Sequence, residues 1–326
     1  MKRRTLAACA AALLLSASAA SAQTKWDLPT AYPTTNFHTE NILQFAKDVE
    51  AASGGKLKIT VHANASLFKA PEIKRAVQSS QAQAGEILLA NYANENPLYA
   101  LDGVPFVASS YADARRLYDV SKPAMEKALA AQNIKLLFSV PWAPQGIFSK
   151  REVSSVADLR GIKWRAYSPA TARIAQLIGA QPVQIQQAEL SAAMATGVIE
   201  AYMSSASTGY DTKTYESIKN FYDNQAWIPK NAVLVNAKAF AALDADTQAA
   251  VLKAAAEAET RGWKLAQEKN VEYKQQLVSR GMKIHKPSAK LDADMRQVGE
   301  VMQADWRKAA GSEGSAILDA YLAKKS

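Results

Sequence analysis

Apolar and polar positions along this chain follow two rhythms, one of period two and one near 3.6, and the two take turns for most of its length. Residues 25–31 read as a first strand that ends at Tyr32-Pro33. From 37 to 52, Ile42, Phe45, Ala46 and Val49 recur at helical spacing until Gly54-Gly55 stop the helix. Residues 57–61 alternate as a strand, 72–79 are predicted helical, and 86–90 form a short buried strand. Two helical stretches, 111–120 and 123–132, lead into a strand at 134–140. Helix and strand keep alternating through residue 235, which predicts an α/β fold with mostly parallel sheets and crossover helices.

The pattern then changes. Asp244 is a good N-cap, and residues 247 to about 279 contain almost no helix breaker except Gly262, so one long or kinked helix is expected. Residues 291–309 and 315–324 are further helical candidates. No internal repeat and no low-complexity linker interrupts the chain.

The first 22 residues stand outside this pattern. Lys2, Arg3 and Arg4 precede an apolar run, Leu6 to Leu15, too short to span a bilayer, and Ala20-Ser21-Ala22 offers small residues for cleavage. This is the form of a secretory signal peptide with Gln23 as the mature N-terminus, and it predicts export to the periplasm. Cys9 is the only cysteine. The mature chain therefore has no disulfide, thiolate metal site or cysteine nucleophile. Loss of 1–22 leaves 304 residues, enough for about two domains, and lowers the net charge from +9 to +6. Lys and Arg are interspersed with Asp and Glu and form no stripe, so the basic balance suits an anionic ligand and not a nucleic acid.

One segment carries candidate chemistry: GIKWRAYSPATARIAQLIGAQP, Gly161 to Pro182. In a strand, Ile162 and Trp164 share the face suited to a core, and Lys163, Arg165 and Tyr167 share the other. Ser168 is a good N-cap, Pro169 suits the first helical position, and Ile174, Leu177 and Ile178 form an apolar stripe closed by Gly179. Arg165 is thereby delivered close to a helix start, and a guanidinium fork beside free amides suits a carboxylate. The same spacing also fits a surface or salt-bridged arginine with ordinary capping beside it.

Catalytic signatures are absent. His38, His62 and His285 lie far apart in no metal-binding spacing, and there is no nucleophile elbow, phosphate loop or dinucleotide fingerprint. Ser53-Gly54-Gly55-Lys56 matches the S-x-x-K motif of penicillin-recognising enzymes, but Ser53 closes a helix where that serine should open one, and the two companion motifs are missing. No cofactor or metal is expected.

ADLRGIKWRA followed by IGAQPVQIQQAELSAAMATGVIEA resembles the central signature of the substrate-binding proteins of tripartite ATP-independent periplasmic (TRAP) transporters, the DctP-like family. ASGGKLKITVHANASLF, LDGVPFV and VLVNAKAFAALDADTQAAVLKAAAEA are similar to further segments of that family, in the same order. The resemblance implies a two-domain periplasmic-binding-protein-like α/β fold with crossing strands and a long helix spanning both domains. One domain is expected over 23–147 plus about 235–270, the other over 148–234 plus about 271–326. It further implies a small organic carboxylate held by Arg165 in the cleft between domains, and delivery to TRAP membrane subunits. An exported hydrolase of unrecognised type and a ligand-sensing subunit are the alternative classes.

Departures from the family pattern bear on the substrate. Ser204 stands where a ligand-contacting Asn is usual, and Trp142-Ala143-Pro144-Gln145 replaces a more polar or Arg-bearing segment. A second cationic clamp is not expected, which favours a monocarboxylate, aromatic or keto/hydroxy in character. Trp142, Tyr167, Tyr202 and Tyr210 are candidate aromatic walls, about two of them reaching the cleft, while Trp164 and Trp227 are assigned to core. Gln145 and Ser204 join the ligand-binding candidates, with Asn91, Tyr32 and Gln184 by position.

Overall fold

The computed structural model describes residues 23–325; the signal-peptide reading of 1–22, with Cys9, lies outside them. The chain opens with β1 (Thr24–Pro29), α1 (Phe37–Ala52) and β2 (Leu57–His62). Asn36 caps α1 by accepting a hydrogen bond from the His38 amide, and the predicted stripe of Ile42, Phe45, Ala46 and Val49 is buried. Next come α2 (Ile73–Gln78), β3 (Ala84–Leu88) and α3 (Tyr111–Ala130). Where the sequence predicts two helices, α3 runs unbroken through Pro123. Pro123 and Asp119 are both exposed, so the Asp119 carbonyl that loses its partner faces water. Leu117, Tyr118, Ser121, Met125 and Leu129 keep one buried face across the proline.

After β4 (Ile134–Pro141) come β5 (Gly146–Ser149), β6 (Lys163–Ala166), α4 (Pro169–Leu177), β7 (Gln181–Gln184), α5 (Leu190–Ala195), β8 (Ala201–Ser204), α6 (Ala206–Asp211) and β9 (Asn220–Tyr222). The chain then returns through β10 (Lys230–Asn236) to α7 (Ala237–Ala241), α8 (Ala245–Ser279), β11 (Lys283–His285) and α9 (Ala289–Leu322). The first lobe holds the β1-β2 pair and a three-stranded sheet of order β3-β10-β4; the second holds a six-stranded sheet of order β11-β9-β5-β8-β6-β7.

The expected predominance of parallel pairing does not hold among the described residues. β1-β2, β6-β7, β6-β8 and β9-β11 are parallel, but β10 is antiparallel to both β3 and β4, and β5 to both β8 and β9. The antiparallel strands are the two that enter a sheet just after the chain has crossed between lobes, at 142–145 and 223–229. They are not fed by a crossover helix, so nothing forces the parallel sense.

The 35-residue α8 bridges the lobes. Its first half packs on α1 and β4, its second half on α6 and β11. Gly262 permits the closest approach: a Cβ there would lie 2.4 Å from a Val140 methyl and 2.9 Å from Asn41 Nδ2. Asn41 uses that Nδ2 to donate to the Ala258 carbonyl at 2.9 Å. In α9, Gly311 (φ 66°, ψ −159°) breaks the helix between the two stretches predicted there. Leu291, Met295, Trp306 and Leu318 of α9 close over Trp164 and the 101–108 segment in one apolar cluster.

Candidate ligand-binding site

Between the lobes lies a cavity of about 570 Å³, its mouth included. The second lobe contributes Arg165 and Tyr167 from the end of β6, Gln186 and Gln187 after β7, and Ser204, Ser205 and Thr208 from the β8–α6 junction. The first contributes Tyr32, Glu86, Asn91 and their neighbours; Trp142 and Gln145 come from the crossing segment.

β6 places its arginine as the alternation predicts. Ile162 and Trp164 are buried in the core cluster, Lys163 is exposed, and Arg165 is only 2% exposed. Nε of Arg165 donates to the Ile185 carbonyl at 2.9 Å. Its Cζ lies 4.8 Å from the Tyr167 ring and 5.7 Å from that of Tyr202, which adds cation–π attraction. Nη1 is buried without a hydrogen-bond partner, and among the described residues no carboxylate pairs with the guanidinium. Burial draws its pKa below the ordinary value, opposed by the phenols of Tyr202, Tyr167 and Tyr32. A buried cation lacking a counter-ion is costly, and nothing among the described residues offsets that cost with a carboxylate. Two further buried polar atoms of the lining are unpartnered, Gln187 Nε2 and Asn91 Oδ1.

The start of α4 takes no part. The Tyr167 and Ser168 amides donate to Thr171 Oγ1, each at 3.0 Å, and the Thr171 amide donates to Ser168 Oγ at 3.3 Å. Those groups satisfy one another, and residues 168–171 lie outside the cavity lining.

Opposite Arg165 stands a group the sequence reading missed. Glu86, at the centre of the fully buried β3, is 2% exposed and lines the cavity. Its Oε2 accepts from Thr30 Oγ1 at 2.5 Å and its Oε1 from Asn231 Nδ2 at 3.0 Å. Burial pushes the carboxyl up to about 7, against those two hydrogen bonds. Asn231 is oriented in turn by Trp142, whose Nε1 donates to Asn231 Oδ1 at 2.8 Å, and by the Tyr32 hydroxyl at 3.4 Å. His38 Nδ1 stands 3.5 Å from Glu86 Oε1 without hydrogen bonding. Burial holds that imidazole's pKa well below its usual range, so it stays neutral. A lone acid inside the apolar run Ala84-Gly85-Glu86-Ile87-Leu88 is the same signal that marks Arg165, and it was there to be read.

Of the eight ligand-binding candidates, the structure brings Tyr32, Asn91, Trp142, Gln145, Arg165, Tyr167 and Ser204 around the cavity. Gln145 is held by its own network, donating to the Ala143 carbonyl at 2.8 Å and accepting from the Tyr167 hydroxyl at 3.2 Å. Gln184 is not brought in. It is exposed on β7, because Val183 and Ile185 take the inward face and alternation sends Gln184 outward; Gln186 and Gln187 reach the cavity instead. Of the aromatic candidates, Trp142 and Tyr167 line it. Tyr202 is buried behind Arg165, stacked on Phe148 at 4.7 Å, and Tyr210 packs on Tyr273 at 5.3 Å. Trp164 and Trp227 lie in the core, as expected. Among the described residues, Arg165 is the one cation and Glu86 the one acid of the lining.

Two lobes joined by crossing strands and a shared long helix, shut over a buried cation, define the architecture of a solute receptor. Residues 30–312 match the family described as bacterial extracellular solute-binding protein, family 7 (DctP), and the chain belongs to that family of TRAP solute-binding proteins. Among solved structures, the Bordetella pertussis extracytoplasmic solute receptor DctP6, which binds pyroglutamic acid, is 63% identical; the match covers 93% of this chain and 100% of that one, with a TM-score of 0.91. A marine-metagenome TRAP solute-binding protein specific for pyroglutamate is 44% identical over 93% of this chain and 99% of its own, also with a TM-score of 0.91. A solute-binding protein of Sulfitobacter sp. strain NAS-14.1 is 30% identical over 207 residues, 63% of this chain and 62% of that relative, so the match spans less than two thirds of its length.

Proposed function

We propose that the mature protein works in the periplasm, captures a small lactam monocarboxylate of the pyroglutamate type between its lobes, and hands it unaltered to TRAP membrane subunits. The observation that carries this reading is the buried Arg165, its Nη1 unpaired, in the lining of an interlobe cavity whose only acid among the described residues is Glu86. A carboxylate supplies the counter-ion that the guanidinium lacks. A ring N–H supplies a donor to the Glu86 carboxylate, and the unpartnered Gln187 amide and the Ser204 hydroxyl remain for further oxygens. The single cation gives no place to a second carboxylate, and Glu86 opposes one. The pyroglutamate-binding relatives support the same chemistry. The lobes are taken to hinge at 142–145 and 223–229, with α8 as the third connection.

Isothermal titration with pyroglutamate, its lactone analogue (ring oxygen in place of N–H), 2-pyrrolidinone and succinate tests the reading. Pyroglutamate should bind. The lactone should bind at least about 100-fold more weakly, because a site built around a hydrogen bond rejects the analogue lacking it, and the other two should show no measurable binding. Lactone or succinate binding as tightly as pyroglutamate would overturn the assignment. Mass spectrometry after incubation should recover pyroglutamate unchanged; a product would remove the receptor reading.

A further inference from the structure

The two walls of the cavity are joined by a side-chain bond just outside it. Asn36, in the first lobe, is fully buried and uses both ends of its amide. Its Oδ1 accepts from the His38 amide at 2.9 Å and caps α1. Its Nδ2 donates to Oδ2 of Asp211, the last residue of α6 in the second lobe, at 2.6 Å. Asp211 lies about one helical turn beyond Thr208, and Asn36 four residues beyond Tyr32; both Thr208 and Tyr32 line the cavity. Capping α1 requires only the oxygen, so an aspartate or serine would serve that purpose as well. The amide nitrogen is what reaches across.

We propose that the Asn36–Asp211 hydrogen bond is a closure latch, made when the lobes shut and broken when they part, so that it sets how long a captured ligand stays. It rests on the receptor reading above, and it assigns to two residues that do not line the cavity a part in holding the ligand. An interaction present only in the closed state shifts the open–closed equilibrium by its own strength. Ligand meets the open form, so the latch acts on dissociation and leaves association alone.

The test uses Asn36→Ser, Asn36→Asp and Asp211→Ala, with pyroglutamate as probe. Both substitutions at Asn36 keep a capping oxygen, and Asn36→Asp also sets a second carboxylate against Asp211. Stopped-flow measurement should show dissociation faster by about fivefold in Asn36→Ser and by more in Asn36→Asp, as expected for loss of one charge-assisted hydrogen bond and for added like-charge repulsion. Association should stay within about twofold, the usual narrow range for variants of one interface. The Asn36→Ser, Asp211→Ala double variant should dissociate no faster than the faster single one. Additive single effects, or unchanged dissociation in Asn36→Asp, would overturn the latch. Should the parent not bind pyroglutamate, the ligand assignment fails by itself and the latch is read without ligand. Fluorophores at Lys58→Cys and Lys163→Cys, one exposed strand position in each lobe, on the mature protein, which has no cysteine after residue 22, should then report a smaller closed fraction in Asn36→Asp than in the parent. An unchanged fraction would overturn it.

Discussion

The two walls of the cavity are built on different principles. The second-lobe wall presents a cation on one short strand, flanked by the rings of Tyr167 and Tyr202 and tied by Nε to a neighbouring carbonyl. Everything that aims Arg165 comes from β6 and its immediate strand neighbours. The first-lobe wall presents an acid held by groups from three distant places: Thr30 after β1, Asn231 in β10 and Trp142 in the crossing segment. One wall is a local device and the other is a tertiary network. The local wall leaves a charge unpaired and awaiting a ligand, whereas the network wall satisfies its charge in advance and lets burial hold it near neutrality. On the proposed reading, binding strength comes from the first device and choice of ligand from the second.

The widest separation between the walls comes from removing the cation. Arg165→Ala should weaken pyroglutamate binding by about 3 kcal/mol or more, over 100-fold in Kd, because a desolvated carboxylate is left unpaired. Arg165→Lys keeps the charge, but one ammonium cannot replace Nε at the Ile185 carbonyl and Nη1 at the cavity together, so only part of the affinity returns. Calorimetry decides; an Arg165→Ala protein that binds as the parent does would place the ligand elsewhere.

The acid wall should respond less in affinity and more in pH. Glu86→Gln exchanges a charged acceptor for a neutral one and should cost about 1.5–3 kcal/mol of binding. The folded carboxyl is raised from 4.5 to about 7, so the folded state holds its proton more tightly than the unfolded chain. The resulting stability is full below pH 4.5, declines as pH rises, and is gone above about 7. Melting ligand-free parent and Glu86→Gln side by side from pH 4.5 to 8 should show the parent losing about 2–3 kcal/mol relative to the variant. Burial holds His38 neutral and gives it a slope of opposite sign below its ordinary pKa, so the comparison is read between pH 6.5 and 8 as well as over the whole window. A constant difference across the window would mean that Glu86 is ionised throughout.

The same division explains what was legible in the sequence. β6 shows its arginine because alternation, the Ser168 cap and the Gly179 stop all lie within twenty residues, and α8 shows itself through a breaker-poor run with an Asp244 cap. The order of helices and strands follows from the same local signals. The sense of β5 and β10 did not, since it depends on where the chain crosses between lobes. Nor did the partners of Glu86, which lie 56 and 145 residues away from it in the chain. Position alone carried the reading astray at β7, where alternation points Gln184 outward and Gln187 reaches the cavity after the strand has ended.

The network wall can be loosened without touching its charge. Trp142→Phe keeps an aromatic face beside Tyr32 and His38 but removes the Nε1 donor that orients Asn231. Its effect on affinity should be near 1 kcal/mol, the usual worth of one neutral hydrogen bond. Because Trp142 acts through Asn231 on Glu86, the loss should shrink in a Glu86→Gln background, which a double-mutant cycle measures directly. Equal losses in both backgrounds would mean that the indole touches the ligand itself.

The smallest effect separates two glutamines three residues apart. Gln187 carries a buried Nε2 with no partner in the cavity lining, and a ligand oxygen there relieves an unsatisfied donor, so Gln187→Ala should weaken binding by about 1 kcal/mol. Gln184 is exposed on the far face of β7, and Gln184→Ala should stay within about 0.5 kcal/mol of the parent in both affinity and stability. The pair is a sensitive probe of the second-lobe wall, because both substitutions remove the same atoms from the same short segment and differ only in the direction the backbone gives them. Reversal of their order would mean that the segment after β7 turns over when ligand binds, and that the wall around Arg165 is less local than β6 makes it.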